Sequence, residues 1–190
     1  QTLIEGDGPR AVRTGVTAIL PNANLAPYDA ATFVLNGDAE LSGAIFAEEF
    51  GYLTSPIMLT GTASNGTVYT AVIKWSAKKS SRRRTVYMPV VADTWDAYLS
   101  DHLAFPLKEQ HVFEALDGAA TGPVAEGSVG GGTGMFCHDF KAGIGTSSRV
   151  LAPEHGGYTV GVLVQANYGD RSELRIAGAP IGKEIADLLP

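Results

Sequence analysis

A single cysteine stands in this chain of 190 residues. Cys137 cannot close an internal disulfide, so a small domain stapled by cystines is excluded. Basic residues are in deficit: 14 Lys and Arg face 20 Asp and Glu, a formal charge of −6, which argues against a general nucleic-acid binder. The one basic run, KKSSRRR from Lys78 to Arg84, reads as a solvated helix end and loop, where cations also suit the helix dipole. Long apolar runs are missing too. Hydrophobic residues make up 45% of the chain, yet no uninterrupted stretch approaches the roughly 20 residues that cross a bilayer. The expectation is a soluble protein with no membrane partner, its compartment, periplasmic or cytoplasmic, left open. The four histidines, His102, His111, His138 and His155, fall at no metal-binding spacing, and no metal site is expected.

What the chain has in quantity is glycine, and 8 of its 23 lie between residues 122 and 145. There SVGGGTGM, residues 128–135, puts Ser128 before four glycines. A phosphate cradle needs a following helix and a GK[ST] signature, and a nucleophile elbow needs G-x-S-x-G between strand and helix. Neither fits, because Glu126 stands first in the five-residue frame and GMFCHDF, which follows, is strand-like. Ser128 reads as part of a structural turn. Cys137 reads as a small core residue, pointing opposite to His138 along a strand.

The length suits one domain over 1–190. TGVTAIL (14–20), ATFVLNG (31–37), PIMLTGT (56–62) and TVYMPVV (85–91) are apolar runs bounded by breakers and predict buried strands. Helical spacing over 66–79 places Val68, Ala71, Val72 and Trp75 on one face, and residues 108–119 repeat the pattern with Val112, Phe113 and Leu116. From 134 onward GMFCHDF, GIGTSSRVL and YTVGVLVQAN predict an antiparallel meander. Helices early and strands late suit stacked layers better than βαβ alternation. The chain opens at Gln1 without Met or a leader and closes on the amphipathic IGKEIADLLP. Both ends raise the expectation of trimming at the start and of a missing partner piece at the finish.

Two polar positions invite chemistry. VVADTWDAY sets Asp93, and Asp96 three on, after an apolar strand. A carboxylate there can meet a ligand's ammonium group, or Asp93 can cap a helix beginning at TWDAYLSDHL. Asn167 follows the longest apolar strand; its amide can donate into an oxyanion hole, though its chemistry alone favours capping the turn before Gly169.

The segments RTGVTAILP, FVLNGDAELSG, HVFEALDGAATGPVAEGSVGGGTGMFCHDFKAGIGTSSRVL and YTVGVLVQANYGDRSELRIAGAPIGKEI resemble the β-peptidyl aminopeptidases and L-aminopeptidase/D-esterase-amidases, the DmpA/BapA group, from about residue 2 to 185. The resemblance implies an α+β fold, a four-layer αββα sandwich like that of the N-terminal-nucleophile hydrolases, made as a precursor that cuts itself before a serine. This chain resembles the α subunit, and the sandwich is completed by a separate β chain whose first residue is the nucleophilic serine. Higher homo-oligomers of αβ units and small peptide, amide or ester substrates carrying N-terminal residues, including β- or D-residues, are implied, with no cofactor.

By the same resemblance Asn167, ending VQAN, is an oxyanion-hole donor, which reverses the turn reading. Asp93 stands where VVAET carries a glutamate that receives the substrate's amino group, and is shorter by a methylene. Trp95 stands where relatives carry Tyr or Leu beside the scissile bond, supplies no phenolic hydroxyl and narrows the pocket. TASNG at 62–66 departs from the usual T-x-S-V-G, and position 128 is usually Asn. Two other functions stay open at the level of sequence: acyl transfer of the ornithine acetyltransferase type, and a non-catalytic binder that kept the sandwich.

Overall fold

The computed structural model describes residues 1–79 and 88–188. Along the chain run β1 (Thr2–Glu5), β2 (Val12–Ile19), β3 (Tyr28–Asp29), α1 (Ala44–Phe50), β4 (Tyr52–Leu53), β5 (Ile57–Gly61), α2 (Asn65–Lys79) and β6 (Val90–Thr94). They are followed by α3 (Glu109–Asp117), β7 (Phe136–Cys137), β8 (Phe140–Lys141), β9 (Ile144–Val150), β10 (Thr159–Gln165) and α4 (Ile181–Glu184). The main sheet has the order β1-β2-β5-β6. Its first two pairings are antiparallel, whereas β5 and β6 are parallel and joined through α2, with Thr60 opposite Asp93.

Helices α2 and α3 cover one face of this sheet. Val16, Met58 and Val91 of the strands meet Val68, Ala71, Val72 and Trp75 of α2 and Val112 and Leu116 of α3 in one cluster, and full burial of each such side chain stabilises by roughly 1.5–3 kcal/mol. The helical interval read from the sequence is the interval that packs. Trp75 Nε1 donates to Asp117 Oδ1 at 2.8 Å, tying the two helices together, and that hydrogen bond is the first cause holding the Asp117 carboxyl below the usual carboxylate range.

The glycine run forms one 3-10 turn, Gly130–Gly132, wedged between the main sheet and the base of the β9–β10 hairpin. A Cβ on Gly131 would lie 2.3 Å from Gln165 Oε1 and 2.5 Å from the Leu59 carbonyl oxygen; on Gly132 it would lie 2.7 Å from Gly143 Cα. Close approach of backbones, not ligand binding, demands these glycines. The N–H groups are spoken for as well: Gly130 donates to Thr2 Oγ1 at 2.8 Å, Gly131 to Thr17 Oγ1 at 3.1 Å and Gly132 to the Val129 carbonyl at 2.9 Å. The exposed Ser128 hydroxyl donates to the Ala142 carbonyl at 3.1 Å, in keeping with a turn.

Hairpin β9–β10 is antiparallel, from Ile144 opposite Gln165 to Val150 opposite Thr159. Ile144 is buried, while Val150, Val160 and Val162 are exposed. Helix layer, main sheet and this strand pair make a mixed α+β sandwich. Among the described residues no helix is long and apolar enough to cross a membrane.

Several expectations change. Residues 31–37 form no strand, and Phe33 and Leu35 are 86% and 88% exposed; an apolar run becomes a strand only where another strand pairs with it, and none of the described residues does. No helix begins at Asp93: β6 runs on to Thr94, and the next helical residues are the short 3-10 turn His102–Ala104. Long-range hydrogen bonds pull that segment from the helical path, Asp101 N–H donating to Ala11 at 2.7 Å and Arg13 N–H to Ser100 Oγ at 3.0 Å. Cys137 and His138 do not alternate on a strand, because His138 and Asp139 carry φ of 51° and 59° in the turn between β7 and β8. Cys137 is only half-buried, beside Tyr168, whose phenol its hydrogen bond helps push up in pKa. The closing amphipathic stretch is helical only over Ile181–Glu184. Residues 80–84 of the basic run and 85–87 of the TVYMPVV strand lie outside the described residues.

Candidate active site

The sequence placed Asp93 at a strand end, and the fold encloses it there. Asp93 is 4% exposed. Residues 40–42 lie against β6 through a Leu41–Ala92 bridge, so that the Glu40 N–H donates to Asp93 Oδ1 at 3.0 Å. Asn65, the first residue of α2, donates from Nδ2 to the same oxygen at 2.9 Å. Asp93 Oδ2 is buried and has no hydrogen-bond partner. Among the described residues no Lys, Arg or His forms an ion pair with this carboxylate. Buried carboxylates are ordinarily paired, whereas Asp93 keeps one enclosed oxygen without a partner.

Two residues on, Trp95 is 49% exposed. Its backbone N–H donates to Asn167 Oδ1 at 3.1 Å, while Asn167 Nδ2 donates to the Phe136 carbonyl at 3.2 Å. The side chain is therefore gripped by loops 72 and 31 residues away, and its hydrogen bonds do not go to the turn at Gly169. A primary amide has two N–H hydrogens; with its oxygen and one hydrogen held, the second is oriented and available. The Trp95 indole meets the Phe136 ring edge-on at 6.3 Å, and Tyr98 lies 5.0 Å from the same ring, giving an aromatic rim.

Three residues hold this arrangement, and of them only Asp96 stood out in the sequence, as the second acid of VVADTWDAY. Gln165 Nε2 donates to Thr94 Oγ1 at 2.6 Å and to the Thr60 carbonyl at 3.3 Å, anchoring the end of β6 to β10. Buried Asp96 accepts from Thr14 Oγ1 at 2.6 Å, and burial pushes its carboxyl above the ordinary range. Asp96 is packed so closely that a Cβ on Gly61 would lie 2.2 Å from its Oδ2. Asn65 was visible only as a departure from a motif. Among the described residues no three His, Cys, Asp or Glu gather as a metal site.

The end of β6 thus brings together a helix-covered mixed sheet, a buried acid with one unpartnered oxygen and an amide braced from two sides. The sequence model of peptidase family S58 matches residues 1–189, and the chain belongs to that family. It is 48% identical over 198 residues to the β-peptidyl aminopeptidase BapA of Sphingosinicella xenopeptidilytica, covering 100% of this chain and 49% of that protein. It is 47% identical over 186 residues to BapA of Sphingosinicella microcystinivorans, covering 97% and 46%. A Burkholderia sp. β-aminopeptidase superposes with a TM-score of 0.93 at 48% identity, over 98% of this chain and 54% of that one. The L-aminopeptidase D-Ala-esterase/amidase of Ochrobactrum anthropi, described as a prototype serine aminopeptidase and a variant of the Ntn hydrolase fold, also scores 0.93 at 40% identity, over 100% and 56%. The chain spans about half the length of the curated relatives it matches.

Proposed function

We propose that this chain is the α-subunit portion of a self-processing aminopeptidase or amidase that releases N-terminal residues, β- or D-residues among them, from small peptides, amides or esters. The nucleophile is a serine at the start of a β chain from the same precursor, and αβ units assemble into a higher homo-oligomer. Family membership and two half-length structural matches at TM-scores of 0.93 support the reading. The observation that carries it is the enclosed, cation-free Asp93 carboxylate, two residues from the backbone N–H that braces Asn167.

The chemistry needs no metal. The serine's own α-amine takes the hydroxyl proton as Oγ attacks the scissile carbonyl. The tetrahedral oxyanion is met by the free N–H of Asn167, already oriented by Trp95 and Phe136, so little reorganisation is required as charge develops. The leaving amine departs protonated, an acyl-enzyme remains, and water releases the acid. Asp93 Oδ2 receives the substrate's ammonium group, and the Trp95 indole walls the pocket.

Two substitutions separate these roles. Asp93→Asn should weaken substrates bearing a free amine by roughly 1.5–3 kcal/mol, the worth of a charge-assisted hydrogen bond, and leave an amine-free ester almost unchanged. Asn167→Ala should lower kcat on the order of 10²–10³-fold for both substrate types with little change in KM, measured on protein shown by gel to have been cut into two chains. Equal losses for both substrates in Asp93→Asn, or full activity in a cleaved Asn167→Ala enzyme, would overturn the respective assignment.

A further inference from the structure

Two positions at which the sequence leaves the family pattern, Asn65 in TASNG and Asp93 in VVADT, are 28 residues apart and touch at 2.9 Å in the fold. Asn65 Nδ2 and the Glu40 N–H both donate to Oδ1 of the carboxylate. Both donors are uncharged. They hold one oxygen without cancelling the negative charge, which a Lys or Arg in the same place would do. The other oxygen, Oδ2, is enclosed and unpartnered, a costly state for a charged atom unless something donates to it. Its natural complement brings both a hydrogen and a positive charge.

We propose that Asn65 is the positioning residue of the amine-recognition site, fixing Asp93 so that Oδ2 faces an unblocked primary ammonium and carries the full carboxylate charge. The proposal rests on the reading of Asp93 as the amine acceptor. An aspartate side chain is short and stiff, so the direction of its free oxygen is set by whatever holds the bound one. Here one holder is the peptide N–H of Glu40 beside β6 and the other is a side chain at the start of α2. Removing the second leaves a carboxylate free to turn about a single contact.

The test uses the full-length, matured enzyme with two variants, Asn65→Ala and the nearly isosteric Asn65→Leu, each checked on a gel for cleavage into two chains. An aminoacyl p-nitroanilide with a free amine is compared with an amine-free p-nitrophenyl ester, and Asp93→Asn is run alongside. Both Asn65 variants should raise KM for the anilide roughly three- to tenfold, the worth of one hydrogen bond of modest net strength, with kcat and the ester nearly unchanged. An unchanged KM for the anilide, or an equal rise for the ester, would overturn the assignment of Asn65. A wild-type KM for the anilide in Asp93→Asn would instead overturn the reading of Asp93 beneath it.

Discussion

Substituting Gly131 by Ala tests the claim that the glycine run is a packing seam. The added methyl would lie 2.3 Å from Gln165 Oε1 and 2.5 Å from the Leu59 carbonyl oxygen, both well inside van der Waals contact. Leu59 cannot yield: it sits in the middle of β5, opposite Thr17 of β2 on one side and Ala92 of β6 on the other. Gln165 is held by Thr94 and Thr60. Overpacking of this kind costs about 1–3 kcal/mol, and with no soft neighbour the upper end applies. A loss of about 2–3 kcal/mol lowers the melting temperature by roughly 5–10 °C in a domain of this size. The assay is thermal unfolding of the full-length protein followed by circular dichroism. Gly145→Ala is the control, since a Cβ there meets nothing within 4 Å, and its melting temperature should stay within about 1–2 °C of wild type. If Gly131→Ala melts with the control, the seam is not closed and the glycines need another explanation.

The buried Asp96 makes stability depend on pH in a defined direction. Burial raises its folded pKa above the ordinary value of 3.8, so the folded state holds the proton more tightly. Its stabilising effect is fully present below the unfolded pKa and is lost as pH rises through the folded one. Asp96→Asn keeps an acceptor for Thr14 and removes the titration; the difference in melting temperature between variant and wild type should therefore move in the variant's favour from pH 4 upward and then level off. A difference that is flat with pH would refute this. Expressed without any partner chain, residues 1–190 should aggregate, because β10 pairs only with β9 among the described residues and leaves Val160, Val162 and Val164 exposed. Monodisperse light scattering at micromolar concentration would contradict that expectation.

Helices α2 and α3 were legible because the residues spaced at three and four are the ones that pack: Val68, Ala71, Val72 and Trp75 against Val112 and Leu116. Strands β2 and β5 were legible for the same local reason. Segments 31–37 and 94–103 misled because their fate depends on distant atoms. The first has no described strand beside it, and the second is drawn away by Thr14 Oγ1 on Asp96 and by the Ala11 carbonyl on Asp101 N–H. The glycine run announced close approach, but letters could not say what it approaches. For the site, residue chemistry left Asp93 undecided and preferred a turn for Asn167; only the family resemblance pointed to both. The reason is physical. What orients Asn167 are Trp95 and Phe136, 72 and 31 residues off, and what pins Asp93 is Asn65, whose own position in TASNG said only that something differed.

The central claim is that this chain supplies the pocket and the oxyanion donor while the nucleophile belongs to a second chain. Trapping the acyl-enzyme tests it most directly. The full-length, matured protein is mixed with a fast-acylating, amine-bearing p-nitrophenyl ester, quenched in acid before hydrolysis, and analysed by intact mass and peptide mapping. The account predicts two chains, an acyl mass on the first residue of the second one, and none on these 190 residues, Ser128 and Cys137 included. An acyl group on Ser128 or Cys137, or full activity in a preparation containing this chain alone, would contradict it.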